Sequence, residues 1–184
     1  DIIMDIKQVK AAIEAVLFAS GEPISLDRLA QALETDKNTV QKILSIMMEE
    51  REGKEYGVSI VKLDDSYQLA TKPEYSHYIR NAVNQRRNMP LSQAAMETLA
   101  IVAYNQPVTK GYIEQVRGVD SSRIVSSLVE KGLIEERGRL DVPGRPILYG
   151  TTLNFLRCFG LKSLNDLPRI DVDEEPAVDL PSES

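Results

Sequence analysis

The chain has 184 residues and a net charge of −6 at pH 7, and its 42% hydrophobic and 27% charged residues are typical of a globular protein. A single cysteine, Cys158, excludes an internal disulfide, and a single histidine, His77, leaves too few ligands for a Cys/His zinc site. No apolar run approaches the roughly 20 residues that cross a bilayer, and the first residues lack the pattern of a signal peptide. We therefore expect a cytoplasmic protein without a membrane segment, a metal or a cofactor.

The net charge is unevenly distributed along the chain. Residues 1–80 carry 14 acidic and 10 basic residues, residues 81–169 carry 8 acidic and 12 basic residues, and residues 170–184 carry 6 acidic residues and no basic one. The middle of the chain is therefore the part suited to an anionic partner. The acidic end cannot bury enough apolar surface to order itself, so we expect a disordered tail.

The first part of the chain predicts three helices and a β-hairpin. Residues 6–20 have helical composition, and a Gly-Glu-Pro sequence ends them. Polar residues that can accept hydrogen bonds from free backbone N–H groups precede the next two apolar patterns. The predicted features, in chain order, are the break Gly21–Pro23, the caps Ser25 and Asp36, the strands 58–63 and 67–71, and a helix from Pro73 to about Val83.

The same pattern occurs again from Ser92 to Thr152. Apolar residues at spacings of three and four predict the first helix of this part, and two shorter helices and a hairpin with a Pro-Gly turn follow. The predicted features, in chain order, are the stop Asn105–Pro107, the cap Thr109, the stop Gly118, the cap Asp120, the strands Leu133–Leu140 and Ile147–Thr152, and a last helix Leu153–Leu161.

The two patterns align at an offset of 84 residues when Pro23 is placed on Pro107, without a gap over the three helices. Three helices followed by a hairpin indicate a winged helix. The predicted fold class is therefore mainly α with small β-hairpins, arranged as tandem winged-helix domains. The predicted domains are residues 1–80 and 92–169, joined by a linker at 81–91 and followed by the acidic tail at 170–184.

Comparison of the two copies suggests contact residues in the second one. Tyr112 aligns with Arg28, at a position that faces away from the apolar stripe of its helix. An exposed tyrosine brings a large apolar area with a polar tip and is suited to anchor a protein partner. The alternative is that Tyr112 packs on the last helix, against Phe155 or Phe159.

Comparison of the copies also suggests self-association of the first domain. Ile13 aligns with Glu97, and Ile46 aligns with Glu130, so the outer faces of the first and third helices are more apolar in the first copy. An exposed apolar face indicates a further contact layer, and a second copy of the chain is the simplest occupant. The alternative is that the helix after Pro73, or the apolar residues 2–4, cover this face.

A winged helix often reads DNA, so a transcription regulator with tandem winged helices is the alternative function. Base readout needs Arg, Lys, Asn or Gln near the start of the third helix, but residues 120–131 offer one arginine among serines. Arg137, Arg139 and Arg145 could place a basic wing on phosphates, could bind carboxylates of a protein partner, or could belong to a hairpin that faces solvent only. Weak, non-specific DNA contact therefore stays open.

The sequence contains no motif of a catalytic site. It has no phosphate-binding glycine loop, no GxSxG and no HExxH. The acidic pair Glu135-Glu136 lies in a predicted strand, where neighbouring side chains point to opposite faces and cannot share a proton. We therefore do not expect an enzyme.

Several ordered motifs resemble the segregation and condensation protein B family. They are LSQAAMETLAIVAYNQPVT (91–109), RGVDS (117–121), GRPILYGTT (144–152), the YQLAT of 67–71 and the FGLKSLNDLP of 159–168. The resemblance covers residues 8 to 169. The chain departs from it at Lys110, where the family pattern has arginine more often, and the charge is retained.

This resemblance implies a non-enzymatic homodimer, associated with the nucleoid in the cytoplasm, that supports chromosome condensation and segregation during cell division. It also implies that the N-terminal domain dimerises and the C-terminal domain binds a kleisin subunit, which bridges the heads of a structural-maintenance-of-chromosomes ATPase. With the features above, Ile13 and Ile46 are the expected dimerisation residues. The expected partner-binding residues are Tyr112, Arg137, Arg139, Arg145 and Tyr149.

Overall fold

A computed structural model of the chain describes residues 5–83 and 90–170. The first domain consists of α1 (Ile6–Ser20), β1 (Ile24–Ser25), α2 (Leu26–Ala32), α3 (Lys37–Glu50), β2 (Val58–Leu63) and β3 (Ser66–Thr71). It is followed by a 3₁₀ turn (Pro73–Tyr75) and α4 (Ser76–Ala82). The second domain consists of α5 (Gln93–Asn105), β4 (Val108–Thr109), α6 (Lys110–Arg117), α7 (Ser122–Glu130), β5 (Ile134–Arg139) and β6 (Ile147–Thr151). It is followed by α8 (Leu153–Phe159) and a 3₁₀ turn (Leu164–Asp166).

Helix starts are set by side-chain caps, mostly as predicted. The side chains of Ser25, Asp36 and Thr109 each accept a hydrogen bond from a backbone N–H in the first turn of α2, α3 and α6. The prediction for α7 was one residue off, because the cap position is Ser121. Asp120 nevertheless accepts a hydrogen bond from the N–H of Ser122 at 2.7 Å.

Two strands of two residues each, β1 and β4, were not predicted. They complete antiparallel sheets with the strand orders β1-β3-β2 and β4-β6-β5. Tyr67 lies opposite Ile24 in the first sheet, and Tyr149 lies opposite Val108 in the second, so the two tyrosines are equivalent. With three helices and a three-stranded sheet in each half, the tandem winged-helix fold is confirmed.

The offset of 84 residues applies to the first strands, β1 and β4, and to the second helices, α2 and α6, but not to the first helices. α1 ends at Ser20 and α5 ends at Asn105, so their offset is 85, and the loop before β1 is one residue longer than the loop before β4. Ile13 therefore corresponds to Thr98, and both side chains are 0% exposed. The prediction that Ile13 lies on an outer face was wrong, because one residue turns a helix by about 100°.

Each domain has its own hydrophobic core, and the two domains touch. The first core is formed by α1, α2, α3 and the sheet, and the second by α5 to α8 and the sheet. Leu63, at the end of β2, is buried in the second core. The next residue, Asp64, donates its N–H to the carbonyl of Lys162 at 2.7 Å. The tip of the first hairpin is thus held against the segment after α8.

Within the described residues, no helix is long and apolar enough to cross a membrane. The predicted linker at 81–91 lies mostly in residues 84–89, and the predicted disordered tail lies in residues 171–184. Both are outside the described ranges. The helix predicted from Pro73 is found as a 3₁₀ turn followed by α4.

Candidate partner-binding site

Gln106, directly after α5, connects the first helix of the second domain to its wing. Its Oε1 accepts the backbone N–H of Thr151 at 2.8 Å. Its Nε2 donates to the carbonyl of Ala103 at 3.1 Å and to the hydroxyl of Thr151 at 3.0 Å. Thr151 is buried, so this side chain satisfies polar groups that water cannot reach. Sequence reasoning did not identify Gln106, since its partner is 45 residues away.

Gly150, in the GRPILYGTT motif, makes room for this arrangement. A Cβ at this position would lie 2.9 Å from Oε1 of Gln106 and 2.8 Å from Cγ of Arg137. In the first domain the equivalent residue is Gln68, the neighbour of Tyr67. Gln68 makes the corresponding link from the strand to the loop by donating Nε2 to the carbonyl of Gly21 at 3.1 Å. Either the strand or the loop can thus supply the connecting side chain, and Gly150 is required where the loop supplies it.

Arg137 is a cation held in a defined position. Its guanidinium donates to the carbonyl of Thr151 at 2.5 Å and forms an ion pair with Glu135 at 3.1 Å, while about half of the side chain remains exposed. A positioned guanidinium is suited to bind a second carboxylate at low conformational cost. A second carboxylate would have to compete with Glu135 for this cation.

The wing tip combines cations with exposed aliphatic residues. Arg139 donates to the carbonyl of Arg145 at 3.0 Å, which holds the two residues together. Leu140 and Val142 between them are exposed. Neither arginine forms an ion pair within residues 5–83 and 90–170. Such a tip fits a segment that carries both acidic and aliphatic side chains.

Tyr112, on α6, contacts the residue that precedes Gln106. Tyr112 is 40% exposed, and its hydroxyl donates to Oδ1 of Asn105, the neighbour of Gln106, at 3.3 Å. The alternative partners Phe155 and Phe159 contact each other instead, with ring centroids 4.9 Å apart. Tyr112 thus bonds to Asn105, while the neighbouring Gln106 and Arg137 both bond to Thr151.

Tyr149 contributes less surface than expected. It is half-buried and packs against the second core. Its equivalent Tyr67 is almost entirely buried, and this burial raises the pKa of the Tyr67 phenol. Much of Tyr149 therefore stabilises the fold, and its role in partner binding stays a prediction.

The start of α7 is poorly suited to bind a DNA phosphate. The backbone N–H of Ser121 donates to a carboxylate oxygen of Glu114 at 3.2 Å, and that of Ser122 donates to Asp120. The hydrogen bonds from Ser122 also hold the pKa of Asp120 below its usual range. Carboxylates thus occupy two of the N–H groups that would otherwise attract a phosphate. This geometry does not favour the transcription-regulator alternative.

The first domain exposes an apolar surface that agrees with the prediction at Ile46 but not at Ile13. Phe18 on α1 is 80% exposed, and Ile46 on α3 is 45% exposed. Ala11, Ala15 and Ala19 are exposed beside Phe18 at helical spacing. We call these four residues of α1 the α1 face. In the sequence, Ala11, Ala15 and Phe18 follow each other at helical spacings of four and three residues. This spacing shows that they share one face of α1, but it does not show whether that face is buried or exposed.

The chain as a whole is similar to a known protein family and to several named proteins. A family model described as segregation and condensation complex subunit ScpB matches residues 11–170. A relative from Ruminiclostridium cellulolyticum, named segregation and condensation protein B, is 47% identical over 171 residues, which cover 93% of this chain and 90% of that protein.

Two crystal structures are also similar to this chain. ScpB from Mycobacterium tuberculosis is 32% identical with a TM-score of 0.43, and the match covers 86% of this chain and 98% of that one. A dimer of an ScpB N-terminal domain complexed with an ScpA peptide is 32% identical with a TM-score of 0.41, and the match covers 42% of this chain and 98% of that one.

Proposed function

The chain belongs to the family of segregation and condensation complex subunit ScpB, and we propose that it is a non-catalytic adaptor of a bacterial condensin-like complex. Two copies associate through their first domains, and the second domain binds the kleisin subunit. The kleisin links the pair to a structural-maintenance-of-chromosomes ATPase at the nucleoid, in support of chromosome condensation and segregation during cell division. The observation that carries this proposal is the family match over residues 11–170.

We place self-association on the α1 face. Phe18 is the most exposed large apolar side chain among the described residues. The small side chains of Ala11, Ala15 and Ala19 allow a second helix to approach closely, as small residues do at other helix contacts. Ion pairs join Lys10 to Glu50, at the end of α3, and Glu14 to Arg51, the residue that follows α3, along one flank of α1. An exposed apolar face of this kind is suited to a two-fold contact.

The dimer is tested by sedimentation of the full chain at micromolar concentration. Replacing Phe18 with serine removes a central apolar anchor, and we expect the dimer to weaken at least about 30-fold, the effect of a hot-spot residue worth about 2 kcal/mol. The matched control is Tyr78→Ser, which removes an exposed aromatic residue from α4 and should leave the dimer unchanged. A monomeric parent chain, or equal effects of the two variants, would overturn this placement.

We place kleisin binding on the corner formed by Tyr112, Arg137 and the wing tip. Tyr112 supplies exposed aromatic area, Arg137 supplies a positioned cation, and the tip supplies further cations beside aliphatic residues. Large aromatic residues and arginines are the residue types that dominate binding energy at protein interfaces. An acidic, partly aliphatic segment of the kleisin is the partner of matching chemistry.

Kleisin binding is tested by calorimetry and gel filtration with the middle segment of the kleisin from the same genome. We expect a stable complex that Tyr112→Ala and Arg137→Glu each weaken at least about tenfold. The control Arg123→Glu reverses one exposed charge on α7 and should change the affinity little. No complex with the parent chain would sink the adaptor function, and binding weakened by Phe18→Ser instead would move the site to the first domain.

A gel shift decides about the alternative function. Sequence-dependent DNA affinity near 10⁻⁸ M, on the order of true operators at physiological salt, would favour the transcription regulator. Weak binding that does not depend on sequence and falls steeply with salt would indicate phosphate contact only.

A further inference from the structure

A groove of about 700 Å³ separates the first sheet from the segment around α8. Its first-domain wall consists of residues of β2 and β3, and its second-domain wall consists of the end of α8 and the residues that follow it. Aliphatic side chains form much of the surface. They are Met48, Ile60, Val61, Leu69, Leu156 and Leu161.

The charged residues that line this groove all have the same sign. Lys62 comes from the first domain, and Arg157 and Lys162 come from the second, whereas no aspartate or glutamate is among the lining residues. None of the three cations forms an ion pair within residues 5–83 and 90–170. An apolar floor with a cationic rim fits an extended segment that alternates acidic and aliphatic side chains.

Residues 171–184 of this chain have that composition. They contain six acidic residues, no basic residue, and the aliphatic Val172, Val178 and Leu180. We propose that this segment docks in the groove between the two domains of its own chain. It contacts Lys62 on one side and Arg157 and Lys162 on the other, and so links the two domains.

The segment is long enough to reach the groove. Lys162 precedes Ile170 by eight residues, so the two lie at most about 29 Å apart even if the chain between them is extended. The fourteen residues after Ile170 span up to about 46–50 Å when extended. A short tether also gives an effective concentration in the millimolar range, so weak charge pairing is sufficient for docking.

Docking would close the groove to any acidic segment of another protein. A partner that uses the same cations must first displace the tail, and the tail thereby raises the affinity that such a partner needs. The contact should also be salt-sensitive, because the three cations lie at the rim, where charges are screened over about 8 Å at physiological ionic strength. This inference does not depend on the proposed function, since no kleisin takes part in it.

Hydrogen exchange of the full chain, followed by mass spectrometry, tests the docking. We expect peptides from residues 171–184 to exchange at least about fivefold more slowly at 50 mM salt than at 500 mM salt. The variant K62E/R157E/K162E should abolish this protection. The control K54E/R123E/K131E makes the same charge change at exposed positions outside the groove and should retain it.

Three outcomes would overturn the inference. The first is exchange of the tail that is equally fast in the parent and in the groove variant. The second is protection that the control variant also loses, which would indicate a general charge effect. The third is protection that disappears on tenfold dilution, which would mean that a second copy supplies the tail. A parent chain that binds no kleisin segment but protects its tail would disprove the proposed function and leave this inference intact.

Discussion

The two winged-helix domains use their first helices differently, although both helices fill the same place in the fold. In each domain this helix lies on the core with one face and presents another face outward. In the second domain the outward face carries Met96, Ala100 and Tyr104 and lines a cavity of about 310 Å³ together with α8 and Pro168. The hydroxyl of Tyr104 donates to the carbonyl of Pro168 at 2.6 Å. The segment that follows α8 thus packs beside this face.

The equivalent α1 face of the first domain has no such cover within the described residues. Phe18 lies there almost entirely exposed. The sequence also allowed α4 or residues 2–4 to cover the apolar face of the first domain. Ile46 and Phe18 stay exposed with α4 in place. Residues 2–4 are outside the described range. Within the described residues, the two domains thus share the buried side of the first helix and differ in whether its outward side is covered.

The largest effect is expected at Ile13. An offset of 85 residues between the first helices pairs Ile13 with the buried Thr98, whereas an offset of 84 pairs it with Glu97 on an outer face. Ile13 is buried in the first core, so Ile13→Ala should lower the free energy of unfolding by about 2–5 kcal/mol. Phe18→Ser, on the exposed face, should change the stability of the monomer by no more than about 0.5 kcal/mol. Urea denaturation measures both. A small effect at Ile13 would show that this residue is on the surface after all.

The next largest effect is expected at Gly150. In the second domain the loop residue Gln106 connects the loop to the strand, whereas in the first domain the strand residue Gln68 does so, and only the first arrangement needs a glycine. A methyl group there would meet Arg137 and Gln106 at less than 3 Å, so Gly150→Ala should cost about 1–3 kcal/mol of stability and should also displace Arg137. Gly111→Ala is the matched control, since its Cβ would meet nothing closer than 3.8 Å. In a helix this control should stabilise the chain by up to about 1 kcal/mol. Equal effects of the two variants would contradict the role of Gly150.

The smallest effect is expected at Asp36 and Asp120, the carboxyl groups that accept backbone hydrogen bonds at the starts of the two third helices. Hydrogen bonds from Thr39 and Ser122 lower the pKa of these carboxyl groups below the usual 3.8. A lowered pKa in the folded state means that each contribution to stability is present above pH 3.8 and is lost as the pH falls through the lower value. Urea denaturation between pH 5 and pH 2 should show the parent's advantage over Asp36→Asn and Asp120→Asn shrinking with acid. An advantage independent of pH would contradict this cause.

Local chemistry explains which elements could be predicted. The boundaries of α1 and the caps Ser25, Asp36 and Thr109 depend on residues within one turn of each other, so they could be predicted without tertiary contacts. The repeat then extended these local features to a tandem winged-helix fold. The strands β1 and β4 escaped prediction because two residues are too few for an alternating pattern.

The sequence by itself therefore determined the helices, their ends, the two hairpins and the family to which the motifs belong. The tertiary structure alone decided which side of α1 is buried, because a single extra residue in the loop before β1 shifts the sequence of that helix by one position relative to its counterpart. It likewise decided that Gln106, Gly150 and Arg137 form one corner, because partners some 45 residues apart in sequence are joined only when the wing folds back onto α5. Surface exposure and long-range hydrogen bonds depend on how elements pack, and no local pattern of residues encodes them.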